Sequence, residues 1–221
     1  TNGDGGGNLV YGTLTSLSVS PLDNQVIWAG TDDGNVWVTD NGGDTWSHLS
    51  DALPDRWVTS VTADPNDPFG AYVTFSGYRF GANISHLYRT VDRGQTWTDI
   101  GGNLPDIPVN DLVVNPANGA LYLATDVGVF FSENNGSNWQ VLGDGLPTVV
   151  VTDLTFHPPS GTLVAGTYGR SMWTVNVENL TDVVESAPGN PDAKVFPNPF
   201  RESATVEVEV TLECGTVGRA C

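Results

Sequence analysis

The feature that most constrains this chain is an eight-residue frame that it writes three times. Thr39 to Trp46 reads TDNGGDTW, Thr90 to Trp97 reads TVDRGQTW and Ser132 to Trp139 reads SENNGSNW. Each copy runs hydroxyl, spacer, Asp or Asn, spacer, Gly, two spacers, Trp. The tryptophans stand 51 and then 42 residues apart. Two other markers keep step. Leu-Pro falls at Leu53-Pro54, Leu104-Pro105 and Leu146-Pro147, and a proline closes an apolar run at Pro21, Pro65, Pro116 and Pro158. Markers that move together define a repeat. Periods of roughly 40 to 50 residues point to propeller blades or to another array in which each unit covers its neighbour.

Each repeat reads as four short strands. In the third, VNDLVVNP, ALYLAT, GVFFSE and NWQVLG are separated by Gly, Asn, Asp and Pro, and nothing follows a helical period. The expected fold class is therefore all-β: about four blades of a β-propeller, each a four-stranded antiparallel sheet, with a short β segment at the C-terminus. The repeated frame falls between third and fourth strands. Asn41, Asp92 and Asn134 are expected to turn their side chains back onto backbone N–H groups. Gly43, Gly94 and Gly136 supply a position that tolerates positive φ. Trp46, Trp97 and Trp139 are expected to open the fourth strand and pack against a neighbouring unit. The frame reads as architecture rather than chemistry.

The frame resembles the Asp-box, or BNR repeat, of sialidases, sortilin-type propellers and some xyloglucan-degrading glycosidases. Thr90, Asp92, Gly94, Thr96 and Trp97 match it in full. The first copy (Thr39, Asn41, Gly43, Trp46) carries Asn for Asp, and the third (Ser132, Asn134, Gly136, Trp139) carries Asn134 for Asp and Asn138 for Thr. LVAGTYGRSMWTVNV resembles the closing blade of sortilin-like secreted bacterial proteins. The resemblance implies a propeller segment over residues 1–178, read as the C-terminal part of a larger ring because TNGDGGGNLV looks like a cut end. Open blade edges would invite pairing with other copies of the chain.

Beyond residue 178 the character changes. Residues 179–193 are polar and rich in Pro and Gly, a linker. Residues 194–221 open with KVFPNPF and continue with Val206, Val208 and Val210 alternating with Glu207 and Glu209. KVFPNPF resembles the start of the C-terminal sorting domain of type IX secretion substrates, which implies a secreted or cell-surface bacterial protein. Cys214 and Cys221 could close a small disulfide loop in this tail or be an incidental pair.

Composition narrows function. With 26 Asp and Glu against 8 Lys and Arg, the formal charge is −18 and the pI about 4.1. Such a surface repels phosphate backbones, so no nucleic-acid partner is expected. No apolar run is long enough to span a membrane as a helix. No metal site is expected, and calcium in the Asp-rich loops is a weak alternative.

In an antiparallel meander the repeated hairpins share one face of the ring, so the loops joining second to third strands and those entering each first strand share the other. There the second repeat is longest, with GYRFGANISHLYR between Ser76 and Thr90. Tyr78, Arg79 and Phe80 in that loop, with Arg56 and Trp57 beside it, are the expected ligand-binding residues. Flat aromatic surface and a few fixed donors suit a glycan or a protein segment. Asp32, Asp33 and Asp126 lie in the same class of loop, but Asp-Gly in a tight hairpin explains the first pair more simply than catalysis. His48, His86 and His157 form no triad pattern. A binding or scaffolding propeller is thus the leading expectation. A fragment of a glycoside hydrolase is the alternative, and it would need two carboxylates about 5–9.5 Å apart across a cleft.

Overall fold

The computed structural model describes residues 12–77, 84–143, 146 and 148–178, which lie in the first (Thr1–Asn179) of the two units into which the chain divides. Tyr78, Arg79, Phe80, Cys214, Cys221, the linker and the segment 194–221 lie outside the described residues.

The first blade holds β1 (Leu14–Val19), β2 (Ile27–Thr31), β3 (Val36–Thr39) and β4 (Ser47–His48). The second holds β5 (Val58–Ala63), β6 (Ala71–Phe75), β7 (Leu87–Thr90) and β8 (Thr98–Asp99), and the third β9 (Val109–Val114), β10 (Leu121–Thr125), β11 (Gly128–Ser132) and β12 (Gln140–Val141). The fourth has β13 (Val151–His157), β14 (Thr162–Thr167) and β15 (Met172–Asn176) among the described residues. Each blade is one antiparallel meander in sequence order. The fourth strand of each of the first three blades is only two residues long, so Trp46, Trp97 and Trp139 stand just before it rather than within it.

The core lies between blades. Val26, Trp28, Val36 and Val38 of the first blade pack on Val58, Val61, Ala63 and Phe75 of the second. Tyr72 and Leu87 of the second pack on Val109, Leu112, Leu121 and Leu123 of the third. All five residues of β6 and all five of β10 are buried, because a middle blade is covered on both faces. That double burial is why these strands read as unbroken apolar runs instead of alternating ones.

Each innermost strand carries a β-bulge at its second residue: Thr15, Thr59, Asn110 and Thr152. A bulge kinks the strand and re-aims a side chain. The first three aim at the next blade. Thr15 Oγ1 donates to Val58 O at 2.7 Å, Thr59 Oγ1 to Val109 O at 2.6 Å and Asn110 Nδ2 to Val151 O at 2.8 Å. The third residue of the strand adds a bond of opposite sense in two junctions. Ser16 Oγ accepts from Val61 N at 2.9 Å, and Asp111 Oδ2 accepts from Leu154 N at 2.9 Å. Burial holds the Asp111 carboxyl above the usual carboxylate range, against the pull of the hydrogen bonds it accepts.

The three repeated hairpins share one hydrogen-bond pattern. Thr39, Thr90 and Ser132 are buried, and each hydroxyl accepts two backbone N–H groups, from two and four residues on (3.3 and 3.0 Å, 3.2 and 2.8 Å, 3.3 and 3.0 Å). Each hydroxyl also donates to the oxygen of Asn41, Asp92 or Asn134 at 2.7–2.9 Å. That same oxygen takes the N–H of Thr45, Thr96 or Asn138 at 2.9–3.0 Å. Gly43, Gly94 and Gly136 have positive φ, and so do the residues before them, Gly42, Arg93 and Asn135.

The hairpins lock onto the preceding blade. Trp139 is buried and donates its indole N–H to Ile100 O at 2.8 Å. Trp97 donates to Leu49 O at 3.2 Å and meets the edge of Trp28, ring centres 6.1 Å apart. Trp46, in the first blade, stands 40% exposed. The expected packing therefore holds for two of the three tryptophans, and the third lacks a described blade to pack on.

Candidate functional site

The connection from the first blade to the second runs along the face opposite the repeated hairpins and ends in Arg56 and Trp57. Arg56 is buried and its Nη1 donates to Gly77 O at 2.9 Å. Gly34 and Gly77 make room for it. A Cβ at Gly34 would come within 2.9 Å of Arg56 N, and one at Gly77 would overlap the guanidinium. Arg56 thus ties the loop that leaves β6 to the entry of β5. Its neighbour faces the other way. Trp57 fixes its backbone by accepting Ser76 N–H at 3.1 Å, while its side chain is 44% exposed. The structure brings Arg56 and Trp57 together beside Ser76 and Gly77, one as a strut and one as an apolar plate.

On the outer part of the same loop class, residues that the sequence did not single out as a site surround a cavity of about 200 Å³. It is lined by Ile84, His86, Asp99, Leu104, Asp106 and Ile107 among others. His86 is buried, with Nδ1 3.2 Å from Ser76 O and Nε2 2.9 Å from Asp106 Oδ1. A carbonyl oxygen only accepts, so Nδ1 carries a proton. Nε2 faces the Asp106 carboxyl, and this contact links the long-loop blade to the connection that follows it. The signal for this was faint: His86 stands just before β7, and Asp106 directly follows a Leu-Pro marker. Asp99 accepts Gly101 N–H at 2.8 Å, holding the cavity floor.

The remaining polar residues have structural partners. Asp32 accepts Thr13 N–H at 2.7 Å, tying the turn to the residue before β1, and Asp33 accepts the Thr31 hydroxyl within the turn. Asp126 accepts Asn110 Nδ2 at 3.0 Å. Arg93 lies on the opposite face, over the Phe69 ring at 4.7 Å and 3.1 Å from Asp40. His48 is exposed and bonded to Asn35, and His157 is exposed and bonded to Ser160. Among the described residues no three His, Cys, Asp or Glu converge on a point that could hold a metal ion. No helix there is long and apolar enough to cross a membrane. Among the described residues the arrangement offers an exposed aromatic plate at Trp57 on a braced turn and a shallow acidic cavity nearby.

Comparison with protein-family models and with curated protein sequences finds no match. Solved structures do match. A GH74 xyloglucanase from Xanthomonas campestris is similar over 75% of this chain and 29% of its own, at 20% identity and a TM-score of 0.62. YCF48 bound to D1 peptide is similar over 76% of this chain and 56% of its own, at 21% identity and a TM-score of 0.52. The β-propeller domain of Cps50 (Swd1) from Myceliophteria thermophila is similar over 77% and 54%, at 13% identity and a TM-score of 0.55. At these identities the likeness is one of fold. The chain has a β-propeller fold and spans a little over half, or less than a third, of the chains it resembles.

Proposed function

We propose that this chain is a non-catalytic binding or scaffolding propeller segment of a secreted or surface-attached bacterial protein, with a glycan or a protein segment seated on the face that carries Trp57. The observation behind this reading is Trp57 itself. A large ring 44% exposed is costly to leave in water, and here it is held on a connection braced by buried Arg56 and by the Ser76–Trp57 backbone bond. Tyr78, Arg79 and Phe80 follow within a few residues in sequence. Loops on a rigid scaffold are where propellers place recognition. YCF48, which shares the fold, was solved with a peptide. We assign the three repeated hairpins to the Asp-box class on their residues, and residues 194–221 to the start of a type IX sorting domain. Removal of 194–221 in the native host should leave the protein inside the cell envelope.

A second reading, a fragment of a glycoside hydrolase, draws on the likeness to GH74 enzymes, of whose chains this one covers 29% or 25%. It needs a free pair of carboxylates across a cleft, and Asp32 and Asp33 are engaged with Thr13 N–H and the Thr31 hydroxyl. Probing the whole chain on glycan and peptide arrays, then titrating the best hit, separates the readings. Binding without turnover, weakened at least about tenfold in Trp57→Ala with an unchanged circular-dichroism spectrum, is the expected result. Hydrolysis of a xyloglucan oligosaccharide or a sialoside by the chain would overturn it.

A further inference from the structure

The second blade departs from the repeat where it faces the third. The residue before each hairpin hydroxyl is Val38 in the first blade, Arg89 in the second and Phe131 in the third. Their partners on the second strand are Trp28, Tyr72 and Tyr122. The residue before the marker proline is Ser20, Asp64 and Asn115 in turn. Val38 and Phe131 are buried, so the fold accepts an apolar side chain at this place. The second blade puts an ion pair there. Arg89 Nη2 donates to Asp64 Oδ2 at 3.1 Å, the Asp64 side chain 4% exposed and that of Arg89 24%. Asp64 also accepts the Tyr72 hydroxyl at 3.0 Å and Asn66 N–H at 2.9 Å, and the guanidinium lies 5.4 Å from the Tyr72 ring centre. Asp64 thus holds Arg89 in place. So buried a carboxylate is costly beside the side chains that the other copies use, and a chain breaks its own rule mainly where function asks for it.

Arg89 borders a groove of about 370 Å³ between the second blade and the hairpin of the third. Val91, Thr96, Thr98, Asn135 and Ser137 border it too, and all five are exposed. Thr98 is the cross-strand partner of Arg89, so both side chains lie on one face of the blade. The groove is rigid where the two blades meet. A Cβ at Gly102 would lie 2.6 Å from Gly136 O, and one at Gly136 the same distance from Ile100 O, so bare backbone rests on bare backbone.

The chemistry here suits a neutral ligand. The charge of Arg89 is met by Asp64, and Asp99, which also borders the groove, accepts Gly101 N–H at 2.8 Å. On a chain of formal charge −18 nothing here draws in an anion. What the groove presents is hydroxyls and a carboxamide, which both donate and accept, with Val91 as an apolar patch beside them. A sugar ring matches both, with hydroxyls around its rim and C–H groups on its face. We propose that this groove is a saccharide-binding site, separate from the Trp57 face, in which Arg89 and the hydroxyls of Thr96, Thr98 and Ser137 hold the sugar's hydroxyls.

Amide shifts of the isotope-labelled whole chain, titrated with cellobiose, maltose, lactose and mannobiose at millimolar concentration, give the test. At least one of these sugars should move the amides of Thr98, Gly102, Gly136 and Ser137. Asp64→Ser combined with Arg89→Val rebuilds the first blade's version of the network. It should fold, as circular dichroism will show, and weaken that sugar at least about tenfold. Thr98→Gln places at an exposed position the residue type that the third blade has there, at Gln140, and by narrowing the groove should weaken binding too. Trp57→Ala should leave these shifts unchanged. Shifts that survive both groove variants would overturn the proposal, as would the absence of shifts with every sugar. Shifts confined to Trp57 and Ser76 would overturn it while supporting the other site.

Discussion

In the second hairpin Asp92 is a carboxylate where Asn41 and Asn134 stand in the first and third. All three positions use a single side-chain oxygen that accepts a hydroxyl and a backbone N–H. The second polar atom is adaptable. Asp92 Oδ2 accepts the Thr96 hydroxyl at 2.6 Å, whereas Asn41 Nδ2 donates to the Thr45 hydroxyl at 2.8 Å. Asp92→Asn should therefore be close to neutral in thermal melts at pH 7. The hydrogen bonds from Thr96 and then Thr90 hold the Asp92 carboxyl below its ordinary value. Its contribution is then fully present above the unfolded carboxyl pKa of about 4 and fades as pH falls through the lower folded value. Melts in acid should show Asp92→Asn losing less than the parent. Thr90→Val is the opposite case. It leaves the buried Gly94 N–H and the half-buried Asp92 N–H without their acceptor and should cost about 2 kcal/mol in urea unfolding. The sequence showed this much plainly, because hydroxyl, Asx and Gly each have one physical use at those offsets. It did not show that Arg93 and Asn135 would share the positive φ, since nothing in their side chains demands it.

At the scale of elements, glycine reports how a hairpin meets the blade before it. A Cβ at Gly136 would lie 2.6 Å from Ile100 O, which is backbone and cannot give way. At Gly94 it would strike Leu49, a side chain that can shift, and at Gly43 it would meet only Trp46 Nε1 at 4.0 Å. All three have positive φ, so each Gly→Ala pays the conformational term. Chemical denaturation should then rank the losses Gly43→Ala, Gly94→Ala, Gly136→Ala from smallest to largest, the first near 1 kcal/mol. Asp111 gives an element-scale pH dependence of the other sign. Its folded pKa is raised, mainly by burial, so the folded state prefers the proton and stability declines as pH climbs from the ordinary carboxyl value to the raised one. Asp111→Asn should gain on the parent across that window and run parallel above it. Strand order and blade boundaries were legible because turn residues and apolar runs alternate. The bulges at Thr15, Thr59, Asn110 and Thr152 were not, because a bulge is a matter of register and these residues suit a regular strand equally well.

For the whole molecule, the repeat is a rule for joining one blade to the next, and in the first blade Leu14, Leu17 and Val19 stand exposed. The propeller class could be read from three markers at one spacing. The site could be read only in part. Trp57 was expected on the face opposite the repeated hairpins near Arg56, and its residue is 44% exposed. Arg56 was expected beside it as a ligand contact and is instead buried with its Nη1 on Gly77 O, a role set by tertiary packing that no local pattern announces. The His86–Asp106 pair joins residues from a loop and a connection, and distance in sequence hides such pairs.

Equilibrium unfolding of Trp46→Ala, Trp97→Ala and Trp139→Ala measures the joining rule most directly. The buried Trp139 should cost about 3–5 kcal/mol, Trp97 less, and Trp46 under about 1 kcal/mol. Equal losses at the three positions would mean that each tryptophan serves its own blade, and that the blades do not hold one another through these hairpins.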